Sequence, residues 1–70
     1  MSNVHMQPVS SSNIAAIGWA EDILYVEFKG GRRYTYDGVP ETEYNNLMNA
    51  ASQGSYLNAV IKPNHLVTEV

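Results

Sequence analysis

From Ile23 to Val39 the chain reads ILYVEFKGGRRYTYDGV, and the parity of its large side chains leaves few ways to fold it. Leu24, Val26 and Phe28 alternate with Tyr25, Glu27 and Lys29, while Tyr34 and Tyr36 alternate with Arg33, Thr35 and Asp37. That period of two belongs to half-buried strands, so the stretch predicts a hairpin turning at Lys29-Gly30-Gly31. A two-residue Gly30-Gly31 loop is the default short connection. It would set Phe28 opposite Arg33 and Val26 opposite Thr35, mixing the faces. A three-residue loop with Gly31 left-handed in a bulged turn gathers Leu24, Val26, Phe28, Tyr34 and Tyr36 on one side. A slip of one residue flips every side chain, so burial of these five groups selects the odd loop.

The preceding segment agrees with this parity. Ile14 to Ala20 reads as a strand with Ala15, Ile17 and Trp19 on one face, and Glu21-Asp22 makes a tight turn into Ile23. Pairing Ala20 with Ile23 sets Trp19 opposite Leu24, Ile17 opposite Val26 and Ala15 opposite Phe28. Two independent turns then present the same apolar face, which predicts a three-stranded antiparallel meander. The other face carries Ile14, Ala16, Ala20, Ile23, Tyr25, Glu27, Arg33 and Thr35. Either it meets another segment or chain, or its apolar members are scattered surface groups.

Val39-Pro40-Glu41 opens a helix, with Pro suited to the first helical position and Glu41 and Glu43 at the positive end of its dipole. Tyr44, Leu47, Met48 and Ala51 share one stripe facing the sheet. Ser52-Gln53-Gly54 ends that helix, with Gly54 as a left-handed stop. A second helix runs from about Ser55 to Lys62, with Tyr56, Val60 and Ile61 inward and Pro63 blocking continuation. His65 to Val70 alternates, and either adds a C-terminal edge strand or trails in solvent. The expected architecture is therefore α+β: a three-stranded antiparallel meander with two short helices on one face and room for an extra C-terminal strand. Residues 1–8 read as a flexible N-terminal tail and residues 9–70 as a single domain.

Seventy residues with a 44% hydrophobic content suffice for one core, near the lower limit for folding without staples. Cysteine is absent, which removes thiol chemistry and the common zinc sites. His5 and His65 lie in the two tails at no metal-ligand spacing, so no metal and no cofactor are expected. No secretion signal is recognisable and no stretch approaches the ~20 apolar residues of a membrane span, so a cytoplasmic location without membrane attachment is expected. No P-loop, GxGxxG or nucleophile elbow occurs, and a catalytic role has no residue to carry it.

With these elements in place the chain resembles the KTSC domain family, a small module named for its occurrence at the C-terminus of some lysyl-tRNA synthetases. It is also found as stand-alone bacterial and phage proteins. The resemblance rests on Ser11-Ser12-Asn13-Ile14, Ile17-Gly18-Trp19, Leu24-x-Val26-x-Phe28, the Gly-rich turn and Tyr34-Thr35-Tyr36. Val39-Pro40, Tyr44, Leu47, Ala51-Ser52, Gly54-Ser55-Tyr56-Leu57-Asn58 and Ile61 continue it. Trp19 and Leu57 depart from it, standing where Tyr and Phe are more usual. Through the synthetase association, the resemblance implies RNA or tRNA binding.

Four residues are candidates for that contact. Lys29, Arg32 and Arg33 cluster at the hairpin tip of a chain with net charge −3 and only four Lys and Arg, and could grip two or three phosphates. Tyr25, beside Arg33 and Glu27 on the outer face, is the stacking candidate. Trp19, Tyr34 and Tyr36 are expected in the core. Asn58 is expected to face the sheet and latch the backbone of Ser11–Asn13, satisfying buried groups there. The acidic balance points to the alternative, a protein-interaction module, so the candidate partners are RNA, a second copy of the chain or another protein.

Overall fold

The computed structural model describes residues 4–70. Its fold is α+β, with a five-stranded antiparallel sheet in the order β1 (Gln7–Pro8), β2 (Ile14–Ala20), β3 (Ile23–Phe28), β4 (Arg33–Asp37) and β5 (Val67–Glu69). Between β4 and β5 come α1 (Glu41–Met48) and a second helical segment. That segment starts as α2 (Gln53–Tyr56), passes through a π-helical stretch (Leu57–Ile61) and ends as α3 (Lys62–Asn64). The meander expected from parity forms the centre, with a strand added at each edge.

The β3–β4 turn has the odd length that parity selects. Gly31 sits at φ +96°, its N–H donates to the Phe28 carbonyl at 2.9 Å, and the Phe28 N–H donates to the Arg32 carbonyl at 2.8 Å. Val26 consequently faces Tyr34, and Leu24 faces Tyr36. At the other end Glu21 and Asp22 both adopt left-handed backbone, φ 52° and 64°, the geometry whose twist matches a two-residue hairpin. The Asp22 carbonyl accepts from the Val39 N–H at 2.8 Å, anchoring the turn to the entry of α1.

Ile17 pairs with Val26 and Trp19 with Leu24 as expected, but further along the register slips, and Ile14 rather than Ala15 faces Phe28. The extra residue is a β-bulge, and it moves Ile14 from the outer face to the core, where it is 0% exposed. Ile carries three more carbons than Ala, so this exchange stabilises by about 2 kcal/mol, more than the ~1 kcal/mol of one ladder hydrogen bond. The Ser11 hydroxyl accepts from the N–H groups of Asn13 and Ile14, both at 3.3 Å, and fixes the chain as it enters the bulge.

The tail expected over residues 1–8 is corrected in part. Gln7 and Pro8 pair with Ile17 and Ala16, Pro being tolerated on an edge strand; residues 1–3 lie outside the described residues. Just before β1 the chain crosses Gly18 so closely that a Cβ there would stand 2.7 Å from the Val4 and Met6 side chains and 2.9 Å from the His5 carbonyl oxygen. Part of the outer sheet face is thus covered by the chain's own N-terminal segment.

The helical boundaries also move. α1 stops at Met48, and Gly54 is helical rather than a left-handed stop, because Ser52 caps the next segment by accepting from the Ser55 N–H at 3.3 Å. Ala51 is left exposed between the two. Pro63 does not end the second segment. The Lys62 N–H reaches back to the Leu57 carbonyl, and this wider π turn carries the helix past a residue that has no N–H to donate. Leu57 and Ile61 point into the core with Ile17, Leu24, Val26, Tyr36, Val39 and Leu47.

His65 is not a tail residue. Its Nδ1 lies 3.0 Å from the Asp37 carbonyl oxygen and its Nε2 2.6 Å from Glu43. That contact ties the approach to β5 onto α1 and the end of β4. β5 then pairs within the chain, Tyr36 with Val67 and Tyr34 with Glu69.

Candidate ligand-binding clefts

The two faces of the sheet divide the hairpin-tip cations. Strand alternation sends Arg32 to the face that carries the helices and Arg33 to the opposite one. Arg33 lies 3.7 Å from Glu27, its cross-strand partner, so part of its charge is already met. Lys29 stays exposed in the turn. The single basic patch expected from sequence is therefore corrected to two separate surfaces.

Tyr25 does accompany Arg33 and Glu27 on the outer face. With Val4, Met6 and Val70 they line a cleft of about 350 Å³. Val26 and Tyr34 complete its lining, so two tyrosines stand among its valines and Met6, and its one cation is the paired Arg33.

On the helix side, a second cleft of about 350 Å³ opens between the hairpin tip and the second helical segment. Phe28, Tyr34 and Tyr36 form its wall, Gly30 leaves its rim low, and Arg32, Asn58 and Lys62 stand around it. Phe28 and Tyr34 meet edge to face, ring centres 5.5 Å apart, which holds both rings in place. The neighbouring Tyr34 hydroxyl, then the field of Glu69, push the Arg32 guanidinium above its ordinary value. Burial, with a smaller contribution from Tyr34, pushes the Tyr36 phenol up, so both groups keep their protons. Among the described residues neither Arg32 nor Lys62 has a carboxylate within ion-pair distance.

Asn58 is corrected from latch to rim. It is exposed, and the Ser11–Asn13 backbone is held instead by the Ser11 hydroxyl and by the Lys29 N–H, which donates to the Asn13 carbonyl at 2.8 Å. Trp19 lies half-buried between layers, donating its indole N–H to the Val39 carbonyl at 2.7 Å and stacking on Tyr44. Lys62 is the site residue that sequence reasoning missed. Its signal was present in the four-residue spacing from Asn58 on a helix, which puts the two on one face. Among the described residues no group of three His, Asp or Glu comes together as a metal centre would require.

The model of the KTSC domain family matches residues 10–65. A protein of Tsukamurella paurometabola is 45% identical over 60 residues, 83% of this chain and 90% of that protein. One from Stutzerimonas stutzeri is 37% identical over 59 residues, 81% of this chain and 83% of that one. The crystal structure of a KTSC domain protein from Yersinia pestis superposes with a TM-score of 0.87 at 39% identity, covering 97% of this chain and 99% of that one.

Proposed function

As the chain belongs to the KTSC domain family, we propose that it is a small non-catalytic binding module that engages single-stranded RNA at the helix-side cleft. The observation that carries this reading is the convergence of Arg32 and Lys62, two of the chain's four cations, on an aromatic wall. A base laid against Phe28 or Tyr34 contributes ~1–3 kcal/mol whatever its identity. The flanking phosphates meet Arg32 and Lys62, and Asn58 offers a donor and an acceptor to a base edge. The outer cleft supports the reading less well, because Arg33 there is shared with Glu27.

Two cations set the scale of the interaction. Counterion release from two phosphates gives a slope of about −1 to −2 for log affinity against log salt, so binding is weak and only modestly strengthened by low salt. Titration of a short fluorescent single-stranded RNA at low and moderate salt tests this. Arg32→Glu/Lys62→Glu should abolish binding and Arg33→Glu should leave most of it. Absence of binding at low salt defeats the RNA reading, and equal losses from both variants defeat the choice of cleft. The protein-interaction alternative draws support from a different surface, the outer edge of β5.

A further inference from the structure

Leu66, Val67 and Val70, the exposed large hydrophobics among the described residues, all lie in or beside β5, at 72%, 40% and 72% exposure. β5 is an outer strand of the sheet. The Leu66 carbonyl accepts from the Asp37 N–H and the Val70 N–H donates to the Arg33 carbonyl, both at 2.9 Å. Antiparallel ladders alternate between residues that bond inward and residues that bond outward. Val67 and Glu69 therefore turn their N–H and C=O groups away from β4, as a template for one more strand.

We propose that this edge pairs with the same edge of a second copy, antiparallel, about a two-fold axis through Thr68. The side-chain pattern is self-complementary in this register alone. Centred on Thr68, Leu66 meets Val70 of the other copy twice over, the two threonines face each other, and each Val67 lies opposite a Glu69. A register centred on Glu69 would set two carboxylates directly opposite, which destabilises. One centred on Val67 leaves Val70 without a partner. In the chosen register the outward N–H and C=O groups of Val67 and Glu69 exchange four hydrogen bonds across the axis. Leu66 of the second copy also arrives beside Val70, extending the aliphatic wall of the outer cleft. The result is a continuous ten-stranded sheet, the isologous arrangement of a two-fold dimer.

So short an edge covers less than the ~1,200 Å² of a stable specific interface, so the dimer forms with a dissociation constant on the order of 0.1 mM. Sedimentation velocity of the full chain between ~10 μM and ~1 mM should show the sedimentation coefficient rising with concentration. Thr68→Lys, which places two ammonium groups on the axis, should hold the chain monomeric with its circular dichroism and melting unchanged. Thr68→Cys introduces the chain's single thiol on the axis, and should oxidise to a covalent dimer faster than Val67→Cys or Glu69→Cys. A wild type that stays monomeric to ~1 mM overturns the proposal. So does a dimer that survives Thr68→Lys, or equal cross-linking at the three positions, since either puts the contact elsewhere.

Discussion

Burial holds the Tyr36 phenol in its neutral form, with the neighbouring Tyr34 adding to the same effect. Its ionisation in the folded chain is therefore displaced above the ordinary tyrosine value of about 10. Below that pH the folded and unfolded chains are both neutral at this position, and the contribution to stability is fully present. As pH rises past the unfolded value the unfolded chain ionises first, and the contribution is lost through the folded value. Denaturant melts of wild type and Tyr36→Phe should run parallel below about pH 9 and diverge above it, with the wild type losing stability faster. Parallel curves up to pH 11 or so would mean that Tyr36 ionises freely and is not buried. Other residues were less legible than Tyr36. Nothing in the spacing of His65 foretells its partners, because Asp37 and Glu43 are brought to it by tertiary folding. The Ser11–Asn13 backbone does not need Asn58, because the Ser11 hydroxyl accepts from the Asn13 N–H and the Lys29 N–H donates to the Asn13 carbonyl.

At the scale of elements, periodicity carried the strands and lost the places where it is broken. Parity restricts the β3–β4 loop to odd lengths, since only these put five large side chains on one face, and the paired glycines at 30 and 31 place the three-residue turn that sets the register. The β2 bulge does not, because strict alternation assigns Ile14 outward and only the competition between Ile14 and Ala15 for the core reverses it. This makes a sharp prediction. Ile14→Ala should cost about 2–4 kcal/mol in denaturant unfolding, as removal of a buried isoleucine does. An outward Ile14 in an unbulged strand would change stability by less than ~0.5 kcal/mol, and that result would remove the bulge. Helix ends were misplaced for a related reason. Proline normally stops a helix, but one i→i+5 turn lets Lys62 bond Leu57 and carries the backbone past Pro63. Lys62, at the end of that turn, lines the rim of the cleft.

For the whole molecule, the excess of acid over base decides how tightly an anion can be held. Seven Asp and Glu outnumber four Lys and Arg, and the basic residues are divided between two faces of the sheet, so the described residues form no long cationic track for a nucleic acid to follow. Affinity must come from one cleft, and Glu69 stands near it: its field acts on Arg32, and β5 places it across from Tyr34. The same residue belongs to the edge proposed to pair with a second copy, where it faces Val67 rather than a charge. Neutralising it should therefore act on one property and spare the other. Glu69→Gln removes a carboxylate whose field acts on Arg32 in the proposed RNA cleft, and should raise RNA affinity at low salt by about threefold, the scale of an exposed charge pair. The gain should shrink as added salt screens the interaction. Self-association of the same variant, followed by sedimentation, should change by less than about twofold, because no like-charge contact across the axis is being relieved. A large rise in dimerisation with no change in RNA affinity would mean that Glu69 meets its counterpart across the axis and lies outside the ligand's reach. That outcome would displace the register and the cleft assignment together.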